Sequence, residues 1–104
     1  MIEIILCAAI WYKQLELKKT FEHNVLPVNC DVGLVFCGHR HPQCMYTMCS
    51  ITGLRSVTTE CGEYVQGFLK NKNRFVNREE GAIIAFNSGQ IKEEKQTLFS
   101  EDLY

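Results

Sequence analysis

Val32-Gly33-Leu34-Val35-Phe36-Cys37-Gly38-His39-Arg40-His41-Pro42, continuing through Gln43-Cys44-Met45-Tyr46-Thr47-Met48-Cys49-Ser50-Ile51-Thr52, is the stretch whose reading decides the fold. Its apolar opening, Val32, Leu34, Val35 and Phe36, lies between Asp31 and Gly38 and is rich in branched and aromatic residues, the pattern of a buried strand. Gly38 is read as the turn. Pro42 suits the first position of a helix, where its missing N–H costs nothing. Cys44, Met45, Met48, Cys49 and Thr52 then recur at helical spacing up to Gly53, which reads as a stop. The order is strand, turn, helix.

That order gathers His39, Arg40 and His41 at a helix start, where unpaired N–H groups point outward and the helix dipole is positive. Anions are favoured there, whereas a cation held without one is opposed by roughly 0.3 to 1 kcal/mol. Three cationic or potentially cationic residues in succession therefore point to a phosphate or carboxylate partner. The alternative is an Arg40 lying along the surface between two ordinary surface histidines. Asn73, Arg74 and Phe75, with Arg78 at a later helix start, form a second group. Arginine grips phosphate bidentately, and a phenylalanine ring stacks a base. Spacing does not bring the two groups together, and the alternative for the second is a core Phe75 beside solvated Arg74 and Arg78.

At 104 residues, with 46% hydrophobic content and two prolines, the chain reads as one folded domain over 1–104. Eleven Lys and Arg against twelve Asp and Glu leave it near neutral. That balance argues against an extended nucleic-acid surface, confines any anion site to a local cluster, and eases self-association. The run from Ile2 to Trp11 is too short to span a bilayer and contains Glu3. No basic leader or cleavage pattern follows it, so it reads as a strand of a soluble, cytoplasmic protein with no membrane partner. The six cysteines would suit three bridges in a secreted chain. Cys7, Cys37 and Cys49, however, sit inside apolar patterns as small hydrophobes, so reduced thiols are expected.

Elsewhere, Ile2, Ile4, Leu6, Ala8 and Ile10 line one face of a first strand while Ile5, Cys7 and Ala9 make the other nearly as apolar. A central strand, or one covered by a partner chain, is expected. Residues 13–29 read as an irregular excursion and 54–63 as polar chain with room for an extended piece. Tyr64 to Leu69 and Arg74 to Val76 read as a hairpin about a turn at 70–73. Asn77 is an N-cap with Glu80 three residues on, starting a helix from Arg78 to about Ser88, with Ala82, Ile83 and Phe86 turned to the core and Gly89 past its end. Residues 90–97 are charged and expected to be mobile. Residues 98–104 regain apolar side chains and read as a docking tail, on this subunit or a neighbour. The class expected is α+β, a mainly antiparallel sheet with two main helices.

Cys37, His39, His41, Cys44 and Cys49 are the residue types zinc takes. The paired Cys-x-x-Cys spacing and a second cluster are missing, so neither metal nor cofactor is expected. Cys37 with His41 has the makings of an activated thiol, but a cysteine closing an apolar strand is more often core. No nucleophile elbow, Walker loop or His-x-Thr pair is found. No catalytic residue is assigned, and the chain reads as a binder. The alternatives are a small nucleotide-processing enzyme and an inhibitor acting by protein contact.

Taken in order, Cys-Gly-His-Arg-His (37 to 41), Gln-Gly-Phe-Leu (66 to 69), Asn-Arg-Phe-Val-Asn-Arg-Glu-Glu (73 to 80), Gly-Gln-Ile (89 to 91) and Leu-Phe-Ser-Glu-Asp-Leu-Tyr (98 to 104) resemble a family of small proteins encoded by phages, prophages and gut Firmicutes. The resemblance covers most of the chain from Gly33 onward. Gly81 stands where the family pattern has Ala, which weakens that helix by under about 1 kcal/mol. The family in turn resembles the first type of Thoeris anti-defence protein, a phage sponge for cyclic ADP-ribose isomers made by bacterial TIR enzymes. The resemblance implies immune evasion in the host cytoplasm by holding such a cyclic nucleotide, or a cyclic oligonucleotide, without turnover. It also implies a homo-oligomer, dimer or hexamer, with a phosphate-gripping arginine near a chain interface, for which Arg40 is the matching position. The roles given to Arg74 and Arg78 come from the residues alone.

Overall fold

The computed structural model of the chain describes residues 2–16 and 26–103. Strands β1 (Ile5–Tyr12), β2 (Leu34–Gly38), β3 (Tyr64–Lys70) and β4 (Arg74–Asn77) form one antiparallel sheet in the order β2-β1-β3-β4. Helices α1 (His41–Thr52) and α3 (Arg78–Asn87) pack against the sheet, and a four-residue helix, α2 (Thr58–Cys61), precedes β3. The class is α+β, as the sequence indicates.

Strand β1 is central, which accounts for its two apolar faces. Ala8, Ile10 and Tyr12 meet Cys44, Met48, Phe68, Val76, Ala82, Ala85 and Leu98 on the helix side. Ala9 meets Phe75, Leu26 and Cys30 on the other, with Trp11, Val35 and Leu69 packed around them. The strand begins at Ile5, later than its hydrophobicity suggests, and its register with β3 slips between Ile5 and Cys7. An extra residue in a strand reverses the alternation beyond it. Ile5 is therefore buried with the helix-side core while Leu6, expected inside, is 48% exposed.

Two side-chain amides complete the backbone pairing where strands run out. Gln90 Oε1 accepts from the Ile5 N–H and its Nε2 donates to Ile5 O, each at 2.8 Å. With Ile91 buried beside it, the start of the stretch expected to be mobile is anchored. Asn29 Oδ1 accepts from the Phe75 N–H at 2.8 Å and its Nδ2 donates to Phe75 O, so residues 26–30 close the outer edge of β4. The remainder of the expected excursion, 17–25, lies outside the described residues.

Glycine is required where elements touch. A Cβ at Gly67 would overlap the Val76 carbonyl oxygen and lie 2.8 Å from Phe75 Cζ. Gly38 is the last residue of β2 and not the turn itself; a Cβ there would meet Gln43 Cβ at 3.0 Å, so its smallness lets α1 leave the sheet directly. Gly53 caps α1 as expected, donating to Cys49 O at 2.9 Å.

Two expectations change. Residues 54–63 hold a helix rather than an extended piece: Glu60 turns back to the Arg55 N–H at 2.9 Å and pairs with its guanidinium, which overrides the β preference of Thr58 and Thr59. The buried face of α3 is Gly81, Ala82, Ile84 and Ala85, with Ile83 62% exposed and Phe86 39% exposed. Asn77 ends β4 and caps α3 at once, its Oδ1 accepting from the Glu80 N–H at 2.8 Å, so the strand fixes the helix rotation. The tail docks on its own subunit: Leu98 is fully buried, and its N–H donates to Arg78 O at 3.0 Å. Tyr104 lies outside the described residues.

Candidate functional site

The start of α1 is built from its own residues. Arg40 is the N-cap, with extended backbone, and its N–H donates to Gln43 Oε1 at 2.9 Å. Pro42 has no N–H to offer, and the Gln43 N–H turns back to Arg40 O at 3.0 Å. The mouth of the helix is thus poorer in outward amides than the sequence suggests. Side chains must supply most of any grip on an anion.

Those side chains come from three parts of the chain. The Arg40 side chain is 32% exposed, and its Nη1 lies 3.8 Å from Glu101 Oε2, whose side chain is 72% exposed. A rim pair of this kind is worth under about 1 kcal/mol, weak enough for a phosphate to displace. Arg78, the first residue of α3, donates from Nη1 to Leu98 O at 2.9 Å and from Nη2 to Gln66 Oε1 at 2.6 Å. Its guanidinium also lies over the Phe99 ring, 4.9 Å from the centroid, and that ring is 46% exposed. Burial lowers the Arg78 pKa, Glu101 and Glu79 oppose this, and a guanidinium stays charged at neutral pH.

His41 belongs to the core beneath the site. It is 4% exposed, and its ring meets Phe68 edge-on at 5.1 Å. Nε2 lies 2.7 Å from Gly67 O; a carbonyl only accepts, so the proton sits on Nε2 and Nδ1 faces Arg78 Nη2 at 3.4 Å. Burial depresses its pKa, the Gly67 carbonyl pulls the other way, and Arg78 adds to the depression. The imidazole is neutral at pH 7 and orients Arg78 rather than adding charge.

The sign of the pH dependence follows. An imidazole harder to protonate in the folded state contributes stability above its unfolded value of about 6.5, and that stability is lost as pH falls through the folded value. Urea midpoints are therefore expected to fall between pH 7 and 5, at no more than about 1.4 kcal/mol per pH unit from this group. His41→Gln should flatten that stretch. The depressed carboxylates Glu3, Glu60 and Asp102 titrate lower, and the Cys7 thiol, held at about 7, adds a fall of its own near pH 7 that His41→Gln retains.

Arg40, His41 and Arg78 are brought together, and His39 sits exposed in the adjoining turn. Asn73, Arg74 and Phe75 are not part of this group. Phe75 is 6% exposed and packs edge-on to Trp11 at 5.9 Å on the face away from the helices, so it offers no free face for a base. Arg74 and Phe75 border a cavity of about 370 Å3 with Glu3, Lys70 and Glu80, and Asn73 Nδ2 donates to Leu26 O at 3.4 Å. A larger hollow of about 760 Å3, lined by Gln14, Leu34, Ile51, Leu54 and Cys61, holds none of the expected site residues. Sequence reasoning missed Gln66, Phe99 and Glu101. All three lie in the motifs quoted above but were read there as strand and tail.

Among the described residues, no three His, Cys, Asp or Glu side chains converge as a metal would require, and no helix is long and apolar enough to cross a membrane. Residues 4–104 match the model of a family described as Phage T4 y16D protein. No curated protein and no solved structure gives a significant match.

Proposed function

The chain belongs to the phage T4 y16D family, and from that premise we propose that it is an anti-defence protein that captures a cyclic nucleotide immune signal and holds it without turnover. The ligand class is a cyclic ADP-ribose isomer or a cyclic oligonucleotide, and the place of action is the host cytoplasm. The observation that supports this reading is the meeting of Arg40, Arg78 and the half-exposed Phe99 ring around one displaceable carboxylate, Glu101. Two guanidiniums match phosphate oxygens, and the ring matches a base.

Magnitudes favour an assembly. A sponge must compete at nanomolar Kd, about 12 kcal/mol, while each charge-assisted hydrogen bond nets roughly 1.5 to 3 kcal/mol. Arg78 already spends two donors on Gln66 and Leu98. The balance calls for further donors and exclusion of water, which a second copy meeting this face would supply as a dimer or hexamer.

The test is to mix the protein with cyclic ADP-ribose isomers and cyclic dinucleotides, measure depletion from solution, then heat-denature it and analyse what is released. Intact ligand supports the reading. Altered ligand would make the protein an enzyme; no depletion would turn attention to a host protein, sought by pull-down. Arg40→Ala is expected to weaken capture at least about 100-fold, the loss of two charge-assisted bonds, with an unchanged circular dichroism spectrum. Arg74→Ala, on its separate cavity, should leave capture intact.

A further inference from the structure

Cys7 on β1 and Cys37 on β2 form a thiol pair that the proposed ligand site does not use. Ala9 pairs directly with Cys37, and strand alternation puts Cys7 on the same face, diagonally across from it. The two thiols influence one another across the strand pair, and the Gly38 backbone also bears on Cys7. Cys37 is exposed and Cys7 half-buried, so a small reagent reaches them from solvent. The other thiols are placed differently: Cys30, Cys44 and Cys61 are buried, and Cys44 Sγ donates to backbone carbonyls at 3.5 and 3.6 Å.

We propose that Cys7 and Cys37 are a redox-active dithiol that reacts with low-molecular-weight disulfides, Cys7 attacking and Cys37 resolving. The Cys7 thiolate attacks one sulfur of oxidised glutathione; that S–S bond breaks, a mixed disulfide forms on Cys7, and one glutathione thiolate leaves. Cys37 then loses its proton and attacks Cys7 Sγ, displacing the second glutathione thiolate and closing the Cys7–Cys37 bond. Two electrons pass from the pair to the reagent, and the two thiol protons end on the two glutathiones. Closure brings the two sulfurs to about 2.05 Å across the β1–β2 pair. The product ties β1 to β2 one residue before Gly38 and the turn carrying Arg40.

The order of attack follows from the donors. The Cys37 thiol and then the Gly38 amide stabilise an anion on Cys7 and hold its pKa at about 7 against burial, while the same contact and burial push Cys37 up. Cys44, the third thiol nearby on α1, is pushed up to about 11 by burial and stays protonated at neutral pH.

The test is to treat the full chain with oxidised glutathione at pH 7 and map its peptides by mass spectrometry. The expected product is a Cys7–Cys37 cross-link with loss of two hydrogens. Cys37→Ser should stop at one glutathione on Cys7, and Cys7→Ser should give neither product. Iodoacetamide should alkylate Cys7 with a midpoint near pH 7, on the order of tenfold faster at neutral pH than in Cys37→Ala, whose midpoint should move toward about 8.5. The proposal is overturned if excess oxidant leaves the folded protein without this cross-link, or if Cys7 titrates as an ordinary thiol in the wild type.

Discussion

Replacing Phe68 with alanine is expected to remove about 3 to 5 kcal/mol of stability, the range for truncating a fully buried aromatic side chain. Phe68 is 0% exposed at the centre of the helix-side face, opposite Ala8 on β1 and Val76 on β4. Its ring fills the notch left by Gly81, where an added Cβ would come within 3.1 Å of Phe68 Cδ2, and it supports the His41 ring edge-on. Truncation leaves a hole that the surroundings cannot close. Helix α3 is held to the end of β4 by Asn77, and α1 is held to β3 through His41 and Gly67. A domain of this kind is stable by only about 5 to 15 kcal/mol, so the variant should sit near its unfolding threshold. The check is a urea titration of Phe68→Ala beside Phe68→Leu, with the leucine recovering over half of the loss. A loss under about 1.5 kcal/mol would show that the layer can collapse into the space.

The strand–turn–helix reading of 32–52 survived because every local signal in it agreed: a branched run, a small residue, Pro42 within the first turn, and a glycine stop. The same holds for Asn77 as a cap and for the 64–77 hairpin. What sequence could not give were features set by contacts far along the chain. The slip between Ile5 and Cys7 that inverts the first strand is stabilised by Gln90, over eighty residues away. The rotation of α3 depends on a strand ending where its cap begins, which no periodicity in Ala82, Ile83 and Phe86 reveals. The candidate site was legible by half. A helix start rich in basic residues announced Arg40, but a histidine in the same run turned inward onto Gly67, and the aromatic ring came from the tail instead of from Phe75. Helical and strand spacing predicts which residues share an element; which elements share a corner is a matter of topology.

Arg78 joins that corner together, and its removal should be felt twice. In Arg78→Ala, Gln66 Oε1 and Leu98 O lose a charged donor, and Phe99 loses its cation, so the tail from Leu98 onward should loosen and the fold should lose about 2 kcal/mol after allowance for partial exposure. On the proposed reading, capture of a cyclic nucleotide should fall at least about 100-fold, since the forked grip and the ordered ring would be lost together. Arg78→Lys separates the two effects: the charge remains, but one ammonium cannot span Gln66, Leu98 and a phosphate at once, so stability should recover more than affinity. Glu101→Gln probes the site from the other side. On the proposed reading the carboxylate would compete with a phosphate for Arg40, and it also bears on His41 and Arg78, so neutralising it should tighten capture by about three- to tenfold, with the gain shrinking as salt is raised. Titrations of the three variants by calorimetry decide the matter. An Arg78→Ala protein that captures ligand as well as the wild type, or a Glu101→Gln protein that captures it less well, would place the binding site away from this corner.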